Sequence, residues 1–525
     1  MNENQRKKIE ALLAQPDKLL QKPPFYRRIS GGNLSQLNAI NQAFGDSVGL
    51  TGTITAQLPS IRKVIVTQDR FMKELDVYSH DVLFDENIPA ITVKIKGNDY
   101  LEMSQHRMAV PFQELILGKQ VRHLCVNKMN HTLLNTEPTD EQMKCFVRIK
   151  QAWAEKNMEG AKTKFVQDQK SYGDAALLFF MGEDNKLHTK NINYADGYVI
   201  ITHKDEYGKH ILECLYYAIT DDDGNQTNYI DCYDDEKMTR FTSTYEGGGS
   251  LDSSGWIRHE AVPHGFPENP LITKRGEVAW NRGQTTIESY EALYNTFIVV
   301  QKRHGWGIIY IKGKFNQNGQ KIAGQVILND TSLDPEADAK TLNSPDPNHM
   351  IETLELMEQT IMKSCGTTFI LPKDIKISGD TSGLAVELTQ ELDMATAQDG
   401  VIEWQNVANK MMRLFKAGLA KELVNSDEDG FKTAVTDFKK LRIHTEFMVW
   451  KPKSEEAHNQ MLATLKGAGG ISQQTLVEKN TVSTPDELVR IQKEREAEIK
   501  EQEEQARKAS ELAQKTSEET IVTEE

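Results

Sequence analysis

The run from Gly366 to Val424 constrains this chain most: a short polar loop, then one very long helical pattern. From Leu384 onward apolar residues recur at helical spacing, at Leu384, Leu388, Leu392, Ala395, Val401, Trp404, Val407, Met411, Phe415, Leu419 and Leu423. No proline interrupts them, and roughly forty residues at about 1.5 Å each make a rod of about 60 Å. Most globular helices have three or four turns, so a rod of this length is a coiled-coil arm, a membrane span or a structural beam. Glu387, Glu391, Asp393, Glu403, Lys410 and Arg413 exclude the membrane span. Gly400 stands midway, where glycine costs up to ~1 kcal/mol against alanine and invites a bend. The pattern predicts a bent beam behind a polar loop, a mechanical part more than a catalytic pocket. Its apolar stripe, with Leu388, Leu392, Trp404, Met411 and Phe415, is expected to pack against the chain's own sheet or a neighbouring subunit.

The 525 residues allow two to four domains. Cys125, Cys145, Cys214, Cys232 and Cys365 are odd in number and lack C-x-x-C spacing. They are expected to be reduced, mostly buried thiols of a cytosolic setting, with neither disulfides nor zinc. Met1 to Arg28 is polar and charged with no apolar h-region, so no signal peptide is expected. No apolar run is long enough to span a membrane. The net charge of −15 argues against a protein that grips DNA, because such affinity comes largely from Lys and Arg displacing counterions. It is compatible with a protein past which a duplex slides.

Along the chain, two helical pieces (Gln5–Ala14 and Leu34–Phe44) open an arm, and Ile88–Gly97 reads as a strand closing at a Gly-Asn turn. Helices are expected over Glu114–Leu134 and over Thr139–Lys170, the latter behind a Thr-x-x-Gln capping box and with one break near Gly160. A meander of antiparallel strands begins at Ser171, with turn signals at Glu183–Asn185, Glu206–Gly208, Asp223–Gly224 and Asp234–Asp235. A helix over Thr285–Gln301 precedes a β-insert, Trp306–Phe315 and Lys321–Asn329, with a hairpin at Asn318-Gly319. After a linker, Asp330–Pro347, a helix covers His349–Cys365. Beyond the rod come a strand, Leu441–Trp450, a helix, Glu455–Lys466, a Gly-rich joint and a charged tail from Pro485.

Chemistry-bearing motifs are scarce. Asp221-Asp222-Asp223-Gly224 fails the EF-hand pattern, because Ile219 stands where an Asp is needed, and reads as a hairpin turn. His203, His210 and His264 lack metal-ligand spacing. No P-loop, nucleophile elbow, His-Glu-x-x-His or kinase pattern occurs. No catalytic residue, metal or cofactor is expected. Lys373 and Lys376 stand in the loop before the rod.

The order of these parts resembles the portal proteins of tailed double-stranded-DNA phages, which form a ring at one capsid vertex. Four blocks carry the resemblance over about residues 100–500: Val121–Pro138, Phe165–Phe180, Glu268–Phe297, and the stretch from Ser378 through the rod to "GGISQQTLVEKNTVSTPDELVRIQKEREAE". The first hundred residues match poorly, Ala176 replaces an aromatic, and Glu-Ala-Leu-Tyr at 291–294 replaces Asp-Ala-Tyr. The resemblance implies an α+β portal-like subunit: a mixed α/β wing (1–284), a stem helix (285–304), a small β-containing clip (305–348) and a second stem helix (349–365). A tunnel loop (366–383) carrying Lys373 and Lys376 towards DNA follows, then the long wing helix and returning strand (384–451) and a helical crown with its tail (452–525). It further implies a homo-oligomeric ring of about twelve subunits, a double-stranded DNA channel for packaging and ejection, and no enzymatic activity or membrane. The implied partners are the terminase large subunit, the major capsid and scaffolding proteins, and head-completion or adaptor proteins. The implied location is the virion's capsid vertex, with host cytoplasm during assembly. The alternatives are a non-portal adaptor that oligomerises through its long helix, and a metal-dependent hydrolase using the acidic turns near Asp221 and Asp234.

Overall fold

The computed structural model describes residues 3–14, 68–84, 91–96, 99–103, 107–135, 137–220, 226–245, 256–305, 308–312, 320–322, 325–327, 338–342, 348–368, 391–426, 435–448 and 455–471, with isolated helical positions between 476 and 507. It is a mixed α+β chain with several antiparallel sheets. Two compact units divide it, Met1–Ile375 with Thr389–Trp450, and Lys376–Leu388 with Lys451–Glu525.

The rod is one helix over Glu391–Asn425, 35 residues that rise about 52 Å. It continues unbroken through Gly400. A Cβ there would lie 3.3 Å from a Leu124 methyl, so the glycine admits a close neighbour from helix Phe112–Cys125. Trp404, Met411, Phe415, Leu419 and Leu423 are buried in the main core of the first unit. Trp404 meets Phe165 edge-on at 5.2 Å, and Phe415 meets Trp153 edge-on at 5.0 Å. Near Glu391 the buried face carries Asp393 and Ala397, while Ala395 is exposed. At this end the helix faces a polar junction, which a purely apolar stripe cannot anticipate.

Helix Phe112–Cys125 stops well short of the expected Leu134, and Asn130–Leu133 is a strand paired antiparallel with Ile443–Glu446. Two polar groups hold the crossover. The Met129 N–H donates to Glu159 at 3.1 Å, and the buried Lys162 ammonium donates to the Asn127 carbonyl at 3.0 Å. Backbone groups engaged this way are not available to a helix. Thr139 and Gln142 form the expected capping box. The break that follows lies at Asn157, not Gly160: Asn157 is left-handed (φ 49°), and its side chain accepts the Gly160 N–H, capping helix Met158–Tyr172.

The meander forms two sheets. Asp174–Met181 is central in one, between Leu271–Arg275 and Leu187–Ile192. The other runs Val199–Lys204, His210–Thr220, Gln226–Tyr233 and Lys237–Tyr245, with Ile257–Arg258 and Val262–Pro263 on the last strand. Consecutive Ile200 and Ile201 are both buried, so both faces of this sheet are covered. Ile201 joins Cys214, Cys232 and Phe241 under Ile9 and Leu13 of helix Glu3–Leu13, while Ile200 joins Ala176, Ile192 and Leu271 of the smaller sheet. Positive φ at Asn185 and Gly208 closes two of the turns. The expected helix at Leu34–Phe44 and the turn at Asp223–Gly224 lie outside the described residues.

The β-insert differs from expectation. Ile308–Lys312 pairs with Asp338–Leu342, inside the expected linker, and Gln320–Ile322 pairs with Gln325–Ile327. The expected turn at Asn318-Gly319 lies outside the described residues. Local turn chemistry does not reveal which distant strand offers a partner edge. In the second unit, helix Glu455–Gly467 ends at Gly469 (φ 71°), where the Gly470 N–H donates to the Leu465 carbonyl at 2.8 Å.

Residues 68–84 are held by a buried histidine. His80 Nδ1 lies 2.7 Å from Glu291 Oε1, and Nε2 lies 2.9 Å from the Glu74 carbonyl. Both partners only accept, so both ring nitrogens donate and the ring is an imidazolium. Burial opposes that charge, but Glu291 and Glu74 outweigh it and raise the His80 pKa. The stability it contributes is complete below about pH 6.5 and is lost as pH rises through the raised folded value. His80→Gln should therefore narrow its stability deficit relative to the native chain as pH rises from about 6 to about 9, measured by urea unfolding. Phe415→Ala should cost about 3–5 kcal/mol in the same assay, because it opens a cavity against Trp153.

Candidate functional site: a helix pair and the clasp behind it

Helices Gln284–Gly305 and Asn348–Ser364 pack together on either side of the β-insert in sequence. Ile287 and Tyr290 of the first share a core with Leu354, Ile361 and Met362 of the second. Tyr290 also meets Phe112 edge-on at 5.0 Å. Polar groups strap residues 108–110 to the first helix. Asn295 accepts the Met108 N–H and donates to the Met108 carbonyl, both at 2.8 Å, and Glu291 accepts the Val110 N–H at 2.8 Å. Buried amide and carboxylate groups are thus paired, as burial demands. The second helix leaves Ile351 and Leu356 exposed beside Glu352 and Glu355.

The second helix ends in a clasp. Gly366 takes φ 65°, which lets the chain turn sharply, and its carbonyl accepts from Thr396 Oγ1 at 2.7 Å. The Thr368 N–H donates to Asp393 Oδ1 at 3.1 Å, and its hydroxyl donates to Asp393 Oδ2. Lys119 Nζ stands 3.8 Å from the same carboxylate. Burial lowers the Lys119 pKa, and Asp393 opposes that shift. Gln120 donates to the Cys365 carbonyl at 2.8 Å and the Ala279 carbonyl at 3.2 Å. Residues on both sides of the 369–390 segment are thereby tied to each other and to helix Phe112–Cys125. Asp393 is nearly fully buried, so these donors take the place of the water it gives up.

Of the residues singled out from sequence, Lys373, Lys376 and Leu388 lie outside the described residues. Leu392 is half-buried, whereas Trp404, Met411 and Phe415 are buried within the chain's own core. Asp393, Thr368, Thr396 and Gln120 were not singled out. The signal for Asp393 was an acid at a helical position facing the apolar side, with a threonine one turn later.

The acidic turn at Asp221–Asp223 lies outside the described residues, and the turn at Asp234 and the histidines are engaged in local hydrogen bonds. Asp234 accepts the N–H groups of Glu236 and Lys237 at 2.6 and 2.7 Å, a turn-closing role. His210 pairs with Glu213 at 2.6 Å, and His264 is taken up by the Asp234 carbonyl and the Phe266 N–H. Among the described residues no group of three or more His, Cys, Asp or Glu is arranged to hold a metal. No helix there is long and apolar enough to cross a membrane.

The family model described as phage portal protein, SPP1 Gp6-like, matches residues 67–507. No curated protein matches the chain. A match over most of the chain sets aside both the hydrolase and the unrelated adaptor. The helix pair, the β-insert and the clasped long helix are parts of a non-enzymatic subunit, and the chain belongs to the SPP1 Gp6-like family of phage portal proteins, which form the DNA-packaging channel at a capsid vertex.

Proposed function

We propose that about twelve copies close into a ring whose channel carries double-stranded DNA during packaging and ejection. In this reading residues 285–304 and 349–365 are the stem, 305–348 the clip, 366–383 the tunnel loop, 1–284 with 384–451 the wing, and 452–525 the crown. The clip docks the terminase large subunit during packaging and head-completion proteins afterwards. The wing meets the capsid and scaffolding proteins. The observation that carries the reading is the clasp at Asp393, which supports a segment working against a rigid beam.

DNA passes with weak grip. Lys373 and Lys376 touch phosphates transiently, while the net charge of −15 keeps the duplex from sticking. ATP hydrolysis belongs to the terminase, since this chain has no P-loop.

Native mass spectrometry with negative-stain averages tests the assembly: a closed ring near twelve times 59.5 kDa is expected, and a monomer or dimer in the presence of scaffold overturns it. Lys373→Ala with Lys376→Ala should leave rings intact and lower the amount of DNA packaged or retained. Normal packaging by that double variant removes both lysines from the proposal. Asp393→Ala should destabilise the subunit by about 1–3 kcal/mol, because Thr368 and Lys119 lose a buried charged partner, and thermal unfolding of the purified chain measures it.

A further inference from the structure

Cys214 and Cys232 stand directly opposite one another on neighbouring antiparallel strands. Both are buried on the face covered by helix Glu3–Leu13, in one cluster with Ile9 and Leu13. Buried His203 stands on the adjoining strand, opposite Leu212 and next to Cys214 in the sheet. The remaining cysteines sit in other elements and are set against ionisation: burial pushes Cys125 up to about 12 and Cys145 up to about 11, and raises Cys365. Cys214 differs. Burial again opposes its ionisation, but neighbouring Cys232 and His203 outweigh it and set this thiol below the ordinary value.

Antiparallel partners have Cα atoms about 4.5 or about 5.5 Å apart. Both spacings fall inside the range of about 4.4–6.8 Å that a disulfide spans. The strands therefore need no large movement for the sulfurs to join.

We propose that Cys214 and Cys232 form a modification site for a two-electron thiol oxidant, which converts them to a cross-strand disulfide, and that helix Glu3–Leu13 controls access to them. With diamide as the oxidant, the Cys214 thiol gives up its proton and its thiolate adds to one nitrogen of the N=N bond, the other nitrogen taking up a proton. The Cys232 sulfur then attacks the Cys214 sulfur, the S–N bond breaks, and the disulfide forms. Both thiol hydrogens end on the reagent, which leaves as the hydrazine. A small-molecule disulfide gives the same product and releases two reagent thiols.

The polar ties of helix Glu3–Leu13 include Gln5 to Asp205 at 3.2 Å, Arg6 to Glu236 at 2.6 Å and Glu10 to Arg258 at 3.5 Å. Solvent-facing ion pairs contribute little, and Ile9 and Leu13 are its buried anchors. Local opening of this helix exposes what it covers. A particle that leaves a cell exchanges a reducing medium for an oxidising one, which is the setting for the change.

The test treats the full-length native protein with diamide, then unfolds it, alkylates the remaining thiols and maps peptides by mass. Two of the five thiols should disappear, with Cys214 and Cys232 in one linked peptide pair. Cys214→Ser and Cys232→Ser should each keep all four remaining thiols free. Five surviving thiols, or a first linkage through Cys125, Cys145 or Cys365, overturns the site. Leu13→Ala should speed disulfide formation by on the order of tenfold, because truncating a buried anchor favours opening, and the milder Ile9→Val should speed it less. An unchanged rate in both variants overturns the role of the helix.

Discussion

Burial of one face of helix Glu391–Asn425 is the constraint from which the first unit takes its form. A helix in water draws most of its stability from packing rather than from propensity, and this one packs against helix Phe112–Cys125, strand Ile443–Glu446 and the smaller sheet. Trp404 and Phe415 interlock edge-on with Phe165 and Trp153, so two other helices take their position from the same side chains. Gly418 receives Leu187 where a side chain would collide, and Gly400 admits Leu124 at a distance that a Cβ would make tight. The glycines that look like weak points in a rod are the places where its neighbours come closest.

Around that apolar wall, buried charges mark the joints. His80 with Glu291 ties residues 68–84 to the first helix of the pair, Asp393 with Thr368 and Lys119 ties the second helix to the beam, and Lys162 with Glu159 fixes the crossover near Asn127. Arg275 pairs with fully buried Asp174 within the smaller sheet and reaches the Ile200 carbonyl of the larger one. Removing one member of such a pair strands the other without water. Apolar contact tolerates sliding, whereas a short charged contact tolerates little, so these groups fix the relative positions of elements that hydrophobic burial merely brings together.

Periodicity made much of this legible. The long helix, the capping box at Thr139 and the strands of the antiparallel meander follow from side-chain spacing and turn signals, because each is a local property. Two misreadings share one cause, a strand partner distant in sequence, and the third is local. Asn130–Leu133 is a strand because Ile443–Glu446 pairs with it from more than three hundred residues away, and Asp338–Leu342 is a strand because Ile308–Lys312 offers an edge. At Asn157 a polar side chain caps the next helix and sets the break, while Gly160, the residue that looked like a breaker, continues it. In the sequence Asp393 is legible only as a charge on the rod, because the groups it holds, Thr368 and Lys119, reach it from other elements.

The division of labour within the long helix bears on how a ring of such subunits is built. Trp404, Met411 and Phe415 are consumed inside the subunit's own core, so a neighbouring copy cannot use them without unfolding it. Contacts between copies must come from residues this core leaves over, and a head-to-tail ring needs two different surfaces that fit one another. Trp404, Met411 and Phe415 thus serve the stability of the subunit. A channel that must hold its shape while DNA is driven through it benefits from a core held within each subunit: strain at one subunit boundary need not loosen the packing that keeps each subunit folded.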